Sequence, residues 1–204
     1  MCYTYVLIKL ILKKGNSMNL KEEIEKYTPY NKQEQEDRNM MLEYLNTFED
    51  CLTRNNRFGH FTASAIVVNP ARDKILFAYH NIYKSWAWLG GHADGEENLL
   101  EVALREAKEE TSIEQIKPIS NEILGLEVIH VQPHIKREKF VSAHVHLNIT
   151  YLFEADDTQQ IHNKPDENKE VGWLPITKLE DYVSEKVMLP IYHKLIEKME
   201  KSLL

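Results

Sequence analysis

Three glutamates stand close together in the run Arg105-Glu106-Ala107-Lys108-Glu109-Glu110. At about 100° per helical residue, Glu106 and Glu110 fall about 40° apart and Glu109 about 60° to the other side of Glu106, so a helix would present all three carboxylates on one face. Like charges at these spacings weaken an isolated helix by roughly 0.2–0.5 kcal/mol per pair, and a divalent cation is one physical reason to keep them. Hard ions such as Mg2+ or Mn2+ take carboxylate oxygens together with substrate phosphate oxygens and retain several waters. Arg105 can orient a neighbouring carboxylate through paired hydrogen bonds. The plainer reading of such a run is a solvated, charged helical face.

The elements that must position these groups are visible as patterns. Leu100, Ala103, Leu104 and Ala107 occupy a different arc from the glutamates, which predicts a helix from about Asn98 to Thr111 packed on a sheet through its apolar side. Before it come Trp86-Ala87-Trp88-Leu89-Gly90-Gly91 and Asp94-Gly95, where glycine permits tight or left-handed backbone. The runs TASAIVVN and KILFAYH are β-branched and apolar, separated by Asn69-Pro70-Ala71-Arg72-Asp73, and predict a β-hairpin. EILGLEVIHVQ and AHVHLNITYLFEA predict longer strands and EVGWLPI another, ahead of an amphipathic helix from about Leu189 to Met199 with Pro190 in its first turn. This order suggests an α/β sandwich with helices on both faces of a mixed sheet. A helical segment from Leu20 to about Arg54 precedes it, with Met40, Met41, Leu42, Tyr44, Leu45 and Phe48 at helical spacing. Its expected role is packing against the domain, with homodimer formation the rival. The expected division is an uncertain extension over 1–17, a helical segment over 18–55 and a catalytic domain over 56–204.

Gly91, Glu97, Arg105, Glu106, Ala107, Glu109, Glu110 and Ile113 match the Nudix box, G-x5-E-x7-R-E-U-x-E-E-x-G-U with U a bulky apolar residue, and in this the chain resembles the Nudix hydrolase superfamily. A chance match at the six fixed Gly, Glu and Arg positions has odds on the order of 1 in 100,000, which sets the solvated-face reading aside. Ser112 stands where the box ends in glycine, at a cost of about 1 kcal/mol if the backbone there is left-handed. Ala107 is small for its U position, and Leu89 replaces the proline that relatives often carry. The resemblance runs from about His60 to Val183, includes DENKEVGWLPI, and leaves residues 1–55 uncovered.

The resemblance implies a Nudix-type α/β/α sandwich. It also implies that Glu106 and Glu110, with Glu109 and a backbone carbonyl near Gly91, hold Mg2+ or Mn2+ against the diphosphate of a small nucleoside diphosphate derivative. A glutamate then takes the proton of the attacking water: Glu109 first, with Glu170 or Glu167 of the DENKE run as substitutes. Glu97 would support the cluster from behind or favour the positive helix N-terminus. Trp86, Trp88 and Tyr83 can stack on a nucleobase, against the alternative that both tryptophans pack in the sheet core. His92 and Asp94 would touch phosphate or metal-bound water, or simply shape the turn.

On residue types alone, His144 and His146 lie two apart on one face of a predicted strand and could form a small ligand site. With no third ligand expected nearby, a polar substrate pocket is preferred there over zinc. His134, Lys136 and Arg137 form a small basic loop, either solvated or against substrate phosphate.

The 204 residues suit one domain of about 100–200 residues plus extra helix. A net charge of -7 without a segregated basic stripe disfavours a nucleic acid polymer as partner, while bound cations can still admit a small phosphate substrate. Cys2 and Cys51 are too few for a disulfide framework or a cysteine zinc site, and the expected location is cytoplasmic. The opening MCYTYVLIKLILKKG lacks a basic leader and a small-residue cleavage site, and falls short of the ~20 apolar residues of a membrane span. Met18 opens the polar, helix-favouring run and is an alternative start. Two other functions share these features: a sensor that binds a nucleotide ligand without turnover, against which the intact glutamates argue, and a prenyl diphosphate isomerase, which would need a cysteine near the motif.

Overall fold

The computed structural model describes residues 19–136 and 138–202, so the extension over 1–17, the alternative start at Met18, Cys2 and Arg137 lie outside the described residues. The N-terminal helical segment is two helices, α1 (Leu20–Lys26) and α2 (Lys32–Thr47). One continuous helix is prevented by Pro29, which disfavours helical backbone at Thr28 and offers no N–H of its own. Asn31 then restarts the helix by accepting the Glu34 N–H through its side chain at 2.9 Å. Leu20, Ile24, Met41 and Tyr44 are buried in the same core as the central strands, so both helices pack on the sheet.

The strands are β1 (Gly59–Val68), β2 (Lys74–His80), β3 (Ser85–Ala87), β4 (Leu89–His92), β5 (Ile116–Pro118), β6 (Gly125–Val131), β7 (His134–Lys136), β8 (Lys139–Val141), β9 (His144–Ala155) and β10 (Asn168–Pro175). Between them lie α3 (Leu99–Thr111) and, at the end, the short α4 (Leu179–Tyr182) and α5 (Leu189–Ser202). Eight strands form one mixed sheet in the order β10-β2-β1-β9-β5, with β3 on β2, β4 on β1 and β6 on β9, while β7 and β8 make a separate hairpin. The centre is a parallel pair, β1 with β9, aligned from Gly59 opposite Val145 to Val68 opposite Glu154. The expected β1–β2 hairpin is present but short, joined at Val68 opposite Ile75. Further along, β1 instead pairs with β4, from Ala65 opposite Leu89 to Thr62 opposite His92. The curl of the sheet thereby sets the Gly90-Gly91 strand beside the central one.

Strand alternation sorts the central pair into two faces. Phe61, Ala63, Ala65 and Val67 of β1, with Leu147, Ile149, Tyr151 and Phe153 of β9, meet α1, α2 and α3 in one core. Ile66, Val68 and Leu152 face α5 in a second core with Tyr192, Leu195 and Met199. The result is the expected α/β/α arrangement of a mixed sheet with helices on both sides, preceded by the N-terminal helices.

A buried ionic knot ties α2 to α5. The fully buried Glu34 carboxylate meets Lys194 at 3.0 Å and Lys198 at 2.9 Å, and accepts from the Tyr27 hydroxyl at 2.5 Å and the Tyr30 N–H at 2.8 Å. Lys194 also reaches Glu127 of β6 at 2.9 Å.

Helix α3 ends as the sequence suggested. Ser112 adopts a left-handed conformation, φ 60° and ψ 13°, and its N–H donates to the Lys108 carbonyl at 2.8 Å. Serine carries a Cβ into a region that glycine enters freely, so Ser112→Gly is expected to stabilise the fold by about 1 kcal/mol without altering turnover. Denaturant midpoints of the two proteins would measure this, and an unchanged or lowered midpoint would refute it.

Candidate active site

The acidic face of α3 is held in place from both ends. Asn98 accepts the Glu101 N–H at its start, and Leu99, Val102, Ala103 and Ala107 bury the opposite arc in the sheet core. Glu110 is thereby drawn against β4, where the Gly90 N–H donates to its carboxylate at 3.2 Å. Burial pushes the Glu110 pKa up to about 8, opposed by that N–H donor and reinforced by the charges of Glu106 and Glu167. Glu106 stands against Gly91: a Cβ on Gly91 would lie 2.5 Å from the carboxylate carbon. Its pKa is raised as well, by burial first and then by Glu109. Gly90 has φ 155°, and a Cβ there would strike the Ala63 carbonyl at 2.3 Å. Both glycines are required by the closeness of α3 and β1 to this strand.

Glu109 is half-exposed and lies among cations. Arg105 approaches it at 3.9 Å and Glu106 at 3.6 Å, and Lys164 reaches Glu109 at 3.4 Å and Glu167 at 3.3 Å. The loop ahead of β10 thus faces the cluster through Lys164 and Glu167. Glu170, in contrast, is an exposed residue of β10 opposite Tyr79. Lys164 carried no motif signal, because its role depends on a fold that brings 164–167 beside α3. Glu97 is exposed ahead of α3.

Other expected residues fall elsewhere. Trp88 packs edge-on to Tyr192 of α5, with ring centroids 5.4 Å apart, and Trp86 packs edge-on to Tyr79 at 5.9 Å and Tyr182 at 6.4 Å. Both are half-buried and pack against the α5-facing core. Tyr83 stacks near His80 at 4.6 Å. Asp94 has φ 48° and pairs through both carboxylate oxygens with Arg54, while the Gly95 N–H donates to the Leu52 carbonyl at 2.9 Å. The segment after α2 therefore braces the loop that leads into α3, a role for Arg54 that no spacing could announce.

His144 and His146 are joined by histidines from two other strands. His60 of β1 lies opposite His146 in the parallel register, and His92 of β4 lies opposite Thr62. The ring centroid of His60 is 5.0 Å from that of His92 and 5.1 Å from those of His144 and His146. The expectation that no third ligand stands near His144 and His146 is corrected by this strand pairing: ring nitrogens of His60, His92 and His146 all lie within 4.8 Å of one another. His134, in β7, is 6.5 Å from His144.

Below the histidines the same face carries a polar network. Thr62 and Ser64 donate to the Asn148 side-chain oxygen at 3.0 and 2.8 Å, and Asn148 and Thr150 donate to Glu127 at 3.3 and 3.1 Å. Among the described residues, no helix is long and apolar enough to cross a membrane.

The family profile described as NUDIX domain matches residues 59–195 of the chain. Among solved structures, the chain is similar to an Ap4A hydrolase from C. elegans, determined as a binary complex. The two are 18% identical over 70% of this chain and 96% of that one, with a TM-score of 0.51. It is similar also to RenU, a Nudix hydrolase from M. smegmatis, at 17% identity over 71% of this chain and 88% of that one, with a TM-score of 0.52. At such identities the likeness concerns the fold. No curated protein matches the sequence.

Proposed function

The chain belongs to the NUDIX family, and on that premise we propose that it is a pyrophosphohydrolase that cuts the diphosphate linkage of a small nucleoside diphosphate derivative with the help of divalent cations. The observation that carries this reading is the meeting of Glu106 and Glu110 with Gly90-Gly91. Two carboxylates share a partly buried site in which burial first, and neighbouring carboxylates second, raise their pKa values. An all-oxygen donor set of this kind fits Mg2+ or Mn2+. Glu106, Glu109 and Glu110, with the Gly91 carbonyl, would hold the ions, which when bound neutralise diphosphate oxygens and acidify a water.

The remaining steps belong to the protein. Gly90 orients the Glu110 carboxylate through its N–H. Arg105 and Lys164 fix Glu109 at the solvent-facing side of the cluster, where it accepts the proton of the attacking water. Glu167 raises the local negative potential and shares Lys164 with Glu109, which makes it a better second candidate for proton acceptor than Glu170. His92, His144 and His146 line the neighbouring polar face, where the leaving group can be bound.

The test is turnover of the purified chain with Mg2+ or Mn2+ against a panel of ADP-ribose, nucleotide sugars, dinucleoside polyphosphates and oxidised nucleoside triphosphates, beside Glu109→Gln. Cleavage of one class, lost on chelation and lowered ~100-fold by the variant, is expected. Tight, metal-independent binding of a panel member without any cleavage would replace hydrolysis by ligand sensing.

A further inference from the structure

We propose that His60, His92 and His146 bind a divalent transition-metal ion, zinc by preference, at a second cation site on the face of β4 opposite Glu106. Gly91 turns its Cα toward Glu106, so alternation along the strand sends the next side chain, His92, the other way. The two sites would share a strand and differ in donor chemistry. Oxygen donors favour Mg2+ and Mn2+, whereas imidazole nitrogens favour zinc and its neighbours.

Three features of the cluster point to a metal rather than to a set of packed rings. His60 is 5% exposed, and its Nε2 is a buried atom with no hydrogen-bond partner. Such an atom is costly to bury unpaired. Its other nitrogen, Nδ1, lies 3.2 Å from the Asn56 carbonyl. A carbonyl only accepts, so in the neutral ring the proton sits on Nδ1 and Nε2 presents a bare lone pair. This is how a backbone carbonyl typically fixes a metal-binding histidine.

The second feature is convergence from three strands. Nitrogens within 4.8 Å of one another need only small side-chain rotations to reach the separation of about 3.3 Å that zinc–nitrogen bonds of about 2.0–2.1 Å impose in a tetrahedron. The third is support from behind. His144 stacks on His60 with an interplanar angle of 29° and lies 3.3 Å, nitrogen to nitrogen, from His146; its own Nδ1 is 2.9 Å from the Ser142 carbonyl. His144 is thus a positioning residue that packs two of the ligands. Three protein ligands leave one tetrahedral position open to water or to an oxygen of a bound substrate.

Co2+ serves as the probe, since four-coordinate cobalt bound by nitrogen absorbs visibly. The full chain is stripped with chelator, supplied with excess Mg2+ to fill oxygen-donor sites, and titrated with Co2+ alone, then with Zn2+ as competitor. One equivalent of Co2+ with an intense visible band, displaced by Zn2+ and unchanged in Glu110→Gln, is expected. His92→Asn and His146→Asn, both at partly exposed positions, should each weaken binding at least ~100-fold while near-ultraviolet circular dichroism stays as in the parent. Absence of the band overturns the proposal. So does a band that survives both histidine changes, or one that disappears in Glu110→Gln, which would assign the cobalt to the carboxylates. Because no step reads turnover, this outcome and that of the hydrolase assay are independent.

Discussion

Glu110→Gln is expected to lower turnover at least ~100-fold at saturating Mg2+, with α3 still folded. The amide keeps the size of the side chain and can still accept the Gly90 N–H, so β4 and α3 stay joined. What it removes is negative charge at the most buried member of the cluster. The same substitution should act in the opposite direction on the metal-free protein. Burial raises the Glu110 pKa to about 8, so its ionisation costs stability as pH rises from the carboxylate range through that value. Near pH 8 and without metal, the neutral amide should therefore melt at or above the temperature of the parent. Mg2+, which the carboxylates take in preference to the histidines, should raise the melting temperature of the parent and have little effect on the variant. Turnover within a few-fold of the parent would remove Glu110 from the metal site.

The second large effect concerns stability. Glu34→Gln is expected to cost roughly 3–5 kcal/mol, because it strips the carboxylate from two lysines that are themselves nearly buried. Burial alone would push the Glu34 pKa up, but the Tyr27 hydroxyl, the Tyr30 N–H, Lys194 and Lys198 more than offset it and hold the group below its ordinary value of 4.5. A depressed carboxylate contributes its stability above the unfolded value and loses it as pH falls through the folded one. Glu127 in the same knot is shifted upward by its burial, so the acid profile of the parent mixes two opposite slopes. The gap between parent and variant isolates Glu34: it should be widest above pH 4.5 and narrow on further acidification, when Glu34 itself becomes neutral. A gap independent of pH, measured by urea unfolding across this range, would show that shape rather than charge is what the variant loses.

Short-range pattern was enough to find α3, its acidic face and its left-handed end. Those features obey helical spacing within a few turns, and the box from Gly91 to Ile113 fixes both the glycines and the glutamates they face. Strands β6, β9 and β10 were legible for the same reason. Pro29 should have divided the first helical segment, since proline restricts the residue before it; the Glu/Lys/Gln-rich composition on either side masked it. The histidine cluster was half legible. His144 and His146 share a face by simple alternation, but His60 joins them only through a parallel register across 86 positions, and His92 through a different strand pair. The one local hint was the polar series His60, Thr62, Ser64 on an otherwise apolar strand, matching His146, Asn148, Thr150 in the partner. Lys164 and Arg54 act through loops, where spacing carries no geometric information.

The parallel pairing of β1 with β9 has a further consequence, for the order in which the molecule can assemble. Ten consecutive residue pairs join segments whose partners are 86 positions apart. Closing so long a loop is entropically costly, and such contacts belong to the slow part of folding. A nascent chain that has emerged only as far as β6 holds β1 with one long edge bare and β6 with no partner at all, the kind of exposed edge that invites pairing with a second chain. The polar face of histidines is therefore completed late, when residues 144–155 slot between β1 and β6, whereas the Gly90-Gly91 strand can seat on the other edge of β1 beforehand.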